Sequence, residues 1–396
     1  MILGASILQL PAIKEAKEMG LEVIVVDMNP NAIGFLEKGI CKEIISTIDI
    51  PAIVESAKKH RIDGIMTLAT DMPMRAVAAV ADELGLVGIS LDTAVKATNK
   101  AEMRKALKEY GVPVPRFYKA SDKQSYIEAV KQFSVQFIVK PADSSGSRGI
   151  YLIKDLNDTE DILRAYEYSK QFSCSGDVVV EEYMCGPEVS VETLTVNGEC
   201  FVIQITDKLT TGAPHFVEMG HSQPTRLSAE IAEKISVVAK AANKAIGITN
   251  GPSHTEIIVT DEGPKIVELG ARLGGDCITT HLVPLSTGIN MVKCCIQIAL
   301  GIEPDLNKSL NCGSAIRYFK QSPGVVKKIE GLDTARKMPG VKEINIVYGL
   351  GESITEIKDS ASRMGFVISQ ASNAEEAVNI CTKTMSDINI FIEELK

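Results

Sequence analysis

The segment HTEIIVTDEGPKIVELGARLGGD, residues 254–276, most restricts what this chain can fold into. Its two apolar, β-branched runs, IIV and KIVEL, flank the turn signal Asp-Glu-Gly, a pattern that specifies a hairpin. Glu256 and Glu268 then lie on adjacent strands and can face each other on one side of the ribbon. Two hard carboxylates on rigid strands suit Mg²⁺ bound against a nucleotide's phosphates. Arg272, just beyond, carries a planar fork of donors that suits a phosphate or a substrate carboxylate. By itself the segment also reads as a surface hairpin with solvated acids.

Composition removes several function classes. The chain of 396 residues is long enough for two to four domains. It is 45% hydrophobic and 23% charged without a long uncharged apolar run, which indicates a soluble globular protein with no membrane partner. A net charge of −9 argues against nucleic acid, whose phosphates are met by excess Lys and Arg. The nine cysteines include no CxxC pair and read as reduced core residues of a cytoplasmic protein, not as a zinc site. The start MILGASILQL has no basic leader region, so no signal peptide is expected.

Along the chain, residues 1–96 alternate strand and helix patterns, which implies a parallel α/β sheet with crossovers. Gly4 and Asp27 sit where a dinucleotide-binding unit has its marker residues, but GxGxxG is absent, which favours a scaffold on the substrate side. After Thr98 a helix ends at Gly111 and two prolines mark passage into a new region. FIVKPADSSGSRGIYLI then reads as strand, loop, strand. The small residues Ser144, Ser145, Gly146, Ser147 and Gly149 let backbone N–H groups approach an anion, and Lys140 and Arg148 add positive charge. An ordinary polar hairpin is the alternative. In VVVEEYMCGPEVSVE the hinge residues Glu181, Glu182, Tyr183 and Met184 can offer backbone groups to adenine, with Glu188 an acceptor for ribose hydroxyls.

The order Lys100, Lys140, SSGSRG, EEYM with Glu188, then Glu256, Glu268 and Arg272 resembles the ATP-grasp superfamily over nearly the whole chain. The wordings TDKLTTGAPHFVEMGHSQP, GPSHTEI and VELGARLGGD look most like its L-amino acid ligase branch, with carbamoyl phosphate synthase and biotin carboxylase more distant. The resemblance implies an α/β and α+β architecture: a pre-ATP-grasp domain at 1–96, an ATP-grasp domain at 97–310 with its lid at about 117–184, and a C-terminal α+β module at 311–396. It also implies ATP with two Mg²⁺ (or Mn²⁺) ions held by Glu256 and Glu268, phosphates on Lys100 and Lys140, and Arg272 beside an acyl phosphate. The expected reaction is carboxylate–amine ligation of amino acids or related small acids. The alternative is a carboxylase or carbamoyl-phosphate-synthase-like enzyme phosphorylating bicarbonate. Family members are often homodimers. One departure stands out: many members have Asn two residues after the second metal carboxylate, and here that residue is Gly270.

Of the five histidines, His254 is the candidate general base because it is two residues from Glu256 on a strand. His215, His221 and His281 are expected to pack or hydrogen-bond, with Glu218 and His221 also able to line a substrate pocket, and His60 lies on a surface helix. From about Cys312 no chemical motif is visible, although Arg317 can reach toward the substrate.

Overall fold

The computed structural model describes residues 1–144, 146 and 148–393, so Ser145 and Ser147 lie outside the described residues. In the N-terminal region β1 (Ile2–Leu3), β2 (Val23–Val26), β3 (Ile40–Glu43) and β4 (Met66–Thr67) form an all-parallel sheet in the order β3-β2-β1-β4. The crossovers run through α1 (Leu10–Glu18) and α2 (Ile50–His60), and α3 (Met74–Leu84) and α4 (Leu91–Thr98) follow β4. The VIVV run of β2 is wholly buried, as a strand covered on both faces must be. Asp27, at the end of β2, accepts a hydrogen bond from the Ala5 amide at 2.8 Å and so ties two loops together.

Helix α5 (Lys100–Glu109) begins at Asn99, whose side chain accepts from the Ala101 and Glu102 amides. Beyond it come β5 (Phe117–Ala120), α6 (Lys123–Val130), β6 (Phe137–Pro141), β7 (Tyr151–Ile153), α7 (Thr159–Gln171) and β8 (Val178–Glu182). These strands form an antiparallel sheet ordered β5-β8-β6-β7 around its own aromatic core of Tyr126, Phe133, Phe137 and Tyr166.

The central sheet contains β9 (Glu188–Val196), β10 (Glu199–Thr210), β11 (Glu218–Gln223), β12 (Gly251–Thr260) and β13 (Gly263–Gly270), with α8 (Ala229–Ile246) between β11 and β12. A π-helical turn at Ile278–Leu282, α9 (Val283–Thr287) and α10 (Met291–Ala299) lead to the last segment. That segment holds β14 (Gly313–Tyr318), β15 (Gly324–Glu330), α11 (Leu332–Ala335), β16 (Val341–Ile346), β17 (Ser353–Ile354), β18 (Gly365–Ala371), α12 (Ala374–Ser386) and β19 (Asn389–Glu393). The expected boundary near 311 falls inside one sheet. β14, β18 and β16 continue the central sheet to eight strands, ordered β13-β12-β9-β10-β11-β14-β18-β16, while β17-β15-β19 form a small sheet. Pattern alone marks these strands but not which edge they join. Among the described residues, no single helix is long and apolar enough to cross a membrane.

The turn from β8 into β9 depends on a close backbone approach. Gly186 has φ +144°, and a Cβ there would fall 2.0 Å from the Val259 carbonyl oxygen. Gly186→Ala is therefore expected to lower stability by about 2–4 kcal/mol in denaturant unfolding. A change within about 0.5 kcal/mol would show that this approach does not constrain the fold.

Candidate active site

The antiparallel ladder of β12 with β13 pairs Glu256 directly with Glu268. On the other side β12 pairs with β9, setting Glu256 opposite Ser190 and His254 opposite Glu192. Because strand side chains alternate, Glu188, Glu192, His254, Glu256 and Glu268 share one face, and Lys208 of β10 joins them. The register slips just after Glu256, where Ile257 pairs with Ile266 and leaves Val267 as an extra residue. Such bulges re-aim side chains beside a site.

Buried acids on this face are matched by cations from other elements. Lys208 is 3% exposed and its Nζ lies 2.6 Å from Glu188, 2.9 Å from Glu256 and 3.7 Å from Glu218. Burial alone would lower its pKa, but the carboxylates hold it well above the ordinary lysine range. Glu256 is half-buried, yet Lys208 and His254 keep it far below the usual carboxylate range. Lys100, the first residue of α5, donates to Glu268 at 2.7 Å and to the Ser144 carbonyl at 2.6 Å. One turn later, on the same face of α5, Arg104 reaches the Val267 carbonyl and ion-pairs with Glu181 at 2.9 Å. Lys140 of β6 lies 2.6 Å from the same carboxylate. Burial pushes the Lys140 pKa down, and despite burial Arg104 and Lys140 hold Glu181 low.

The Glu181 side chain is thus committed to two cations. The Glu182 carboxylate accepts from the Arg116 amide at 3.1 Å and lies 3.3 Å from Lys265. The Tyr183 ring lies 6.4 Å from Phe216, and Met184 is half-buried. At the loop, Asp143 accepts from Ser173 and from the Cys174 and Ser175 amides, while the Gly149 carbonyl accepts from Ser169. Its two ends are pinned, while Gly146 and Arg148 are exposed between them.

His254 departs from the expectation of a general base. Its Nδ1 lies 2.6 Å from Glu192 and its Nε2 3.5 Å from Glu256. Burial would lower its pKa, but Glu192 and Glu256 push it up to about 9. An imidazolium has no free lone pair to take a proton, so in this arrangement His254 is a donor.

Arg272 makes a two-point ion pair with Asp71, at 3.0 and 3.2 Å, from the loop after β4. Burial opposes its charge, but Asp71 raises its pKa, with Glu268 and Glu256 adding to the effect. The same Asp71 accounts for Gly270: a Cβ at that position would lie 2.7 Å from Asp71 Oδ1. The room an asparagine side chain would need is taken by a carboxylate from the N-terminal region.

Beyond Glu218 a second charged group closes the site. Arg363 makes a two-point pair with Asp276 at 2.7 and 2.8 Å, stacks 3.7 Å from the Tyr318 ring centroid and donates to the Glu218 carbonyl. His221 Nε2 lies 3.4 Å from Asp276. Burial favours a neutral acid, but Arg363 and His221 hold Asp276 well below the carboxylate range. His281 pairs with Glu343 at 3.4 Å instead, and His215 is half-buried between β10 and β11. Arg317 lines a separate apolar cavity with Met385 and Ile388 of the α12–β19 segment, so it does not reach the carboxylate pair.

Lys208, Arg104, Glu192, Asp71, Asp276 and Arg363 were not legible as site residues. Some left signals: Arg104 follows Lys100 by one helical turn, Glu192 shares strand parity with Glu188, and Asp71 follows a parallel strand at its carboxyl end. Arg363 left none.

Residues 133–280 match the ATP-grasp domain family, and residues 317–393 match the L-amino acid ligase C-terminal domain 2 family. Alanine–anticapsin ligase of Bacillus subtilis (strain 168) is 26% identical over 338 residues, spanning 78% of this chain and 69% of that protein. An L-arginine-specific L-amino acid ligase of Bacillus subtilis is 24% identical over 307 residues, 76% and 74% of the two chains. In fold, the chain superposes on the L-amino acid ligase of Bacillus licheniformis with a TM-score of 0.85 at 23% identity, covering 99% of this chain and 98% of that one.

The His254 pKa gives a pH test in magnesium-free buffer. Since the folded value of about 9 lies above the ordinary 6.5, the pairing stabilises fully below pH 6.5 and is lost as pH rises through 9. The loss should be on the order of 3 kcal/mol. The His254 ring carbon resonance should titrate near 9, and a midpoint below 7 would refute the charged assignment.

Proposed function

We propose that the chain, with its match to an ATP-grasp domain and to an L-amino acid ligase C-terminal domain, is a ligase that joins the carboxylate of one amino acid, or a related small acid, to the amine of another through an acyl phosphate. The observation that carries this reading is the facing pair Glu256 and Glu268 ringed by Lys100, Lys208 and Arg272. Two hard carboxylates among cations suit phosphoryl transfer, in which the protein's work is electrostatic and positional.

The donor set fits Mg²⁺ or Mn²⁺. Both carboxylates already carry an ammonium within 2.9 Å, and the strand register holds them side by side. Glu256 and Glu268 would hold the metal, which when bound neutralises phosphate charge and orients the triphosphate. Gly270 supplies no further ligand, so water and nucleotide oxygens would have to complete the shell, as is usual for magnesium.

The chain's own groups do the rest. Lys140, fixed by Glu181, and Lys100 bind phosphate oxygens. The backbone of 181–184 borders the adenine, and the exposed Gly146 and Arg148 would cover the phosphates and exclude water that hydrolyses the intermediate. Glu188 reaches the ribose only by leaving Lys208. Arg272, oriented by Asp71, meets the acyl phosphate and the oxyanion that develops when the amine adds to its carbonyl. His254 serves as a second positive group beside Glu256 and leaves the amine proton to another acceptor.

Phosphate release with ATP and Mg²⁺ should require two amino acids from screened pools. Release with bicarbonate alone would replace the ligase reading with a carboxylase one. Glu268→Gln should cut ADP formation by at least about 100-fold with an unchanged circular dichroism spectrum. Wild-type turnover in that variant would remove Glu268 from the metal site.

A further inference from the structure

Strand β3 is an edge of the N-terminal sheet, and its alternation puts Cys41 and Glu43 on one face. Lys42 points the other way, over the Phe35 ring. His60, the last residue of α2, closes on that face. Its Nε2 lies 3.9 Å from Cys41 Sγ and 2.5 Å from Glu43 Oε1. Arg61 follows in a left-handed conformation, φ +51°, that ends the helix there. Among the described residues this is the one group of three His, Cys, Asp or Glu side chains whose ligand atoms all lie within 4.8 Å of one another. The side chains of Glu43 and His60 are only 17% and 19% exposed.

We propose that Cys41, Glu43 and His60 form a Zn²⁺ site with water in the fourth position. A thiolate, an imidazole and a carboxylate are a borderline-soft donor set that selects zinc over magnesium or calcium. Tetrahedral zinc separates its ligands by roughly 3.3–3.5 Å, so the trio needs only sub-ångström to ångström adjustment. On binding, the metal replaces the proton between His60 and Glu43, and the Cys41 thiol proton passes to solvent. The site ties the exposed edge of the sheet to the end of α2. It is independent of the carboxylate pair. Cys41 is exposed, and Lys59, 2.9 Å from Glu43, is the cation the metal must displace.

The full-length protein, stripped of metal by chelation, would be titrated with Co²⁺. One equivalent should bind with a thiolate-to-cobalt absorption band and tetrahedral visible bands, reversed by Zn²⁺ and unaffected by Mg²⁺. Cys41→Ser should abolish the thiolate band, and His60→Ala should abolish binding. Lys59→Ala, which frees the Glu43 oxygen, should tighten binding about fivefold. ATP-dependent turnover of Cys41→Ser should be unchanged. A missing thiolate band in the wild type, its persistence in Cys41→Ser, or weaker binding in Lys59→Ala would overturn the assignment.

Discussion

Buried carboxylates need a cation within contact, and the central part of this molecule is organised around that requirement. Glu181 is 1% exposed and Glu192 fully buried, while Glu256 is largely enclosed. Removing one partner of such a pair leaves an uncompensated charge at a cost of roughly 3–5 kcal/mol. The partners come from different elements, so the pairs also fix the geometry. Helix α5 sends Lys100 to the central sheet and Arg104 to β8, while Lys140 of β6 reaches the same β8 acid. Strands β6 and β8, helix α5 and the strand pair β12–β13 are positioned by one set of charges.

The outer segments connect to this centre in the same way. Asp71 of the N-terminal region holds Arg272, and Arg363 of the last segment holds Asp276. Extension of the sheet through β14, β18 and β16 brings Arg363 within reach. Acids and bases neutralise one another on this face. On the proposed function, phosphate and metal would compete with these pairs, above all with Lys208, which holds three carboxylates at once. Binding would rearrange these charges in addition to filling a space between them.

Local patterns in the sequence carried the hairpin of Glu256 and Glu268, because β-branched alternation and the Asp-Glu-Gly turn act over a few residues and fix register directly. The N-terminal parallel sheet was legible for the same reason. Gly270 marked a departure from the family pattern, yet what occupies the space beside it came from Asp71, 201 residues from the Arg272 it pairs with. His254 was legible as a functional candidate by its spacing from Glu256. Its charge state was not, since that depends on Glu192 across a strand pair.

The sequence by itself determined the element types, the facing glutamates, the inventory of cations and the superfamily these add up to. Only the tertiary structure decided which cation sits on which acid, that the C-terminal strands join the central sheet, and that Cys41, Glu43 and His60 converge. Periodicity and turn chemistry are set by neighbouring residues, whereas charge compensation and ligand convergence depend on how distant elements pack, and no local pattern records that.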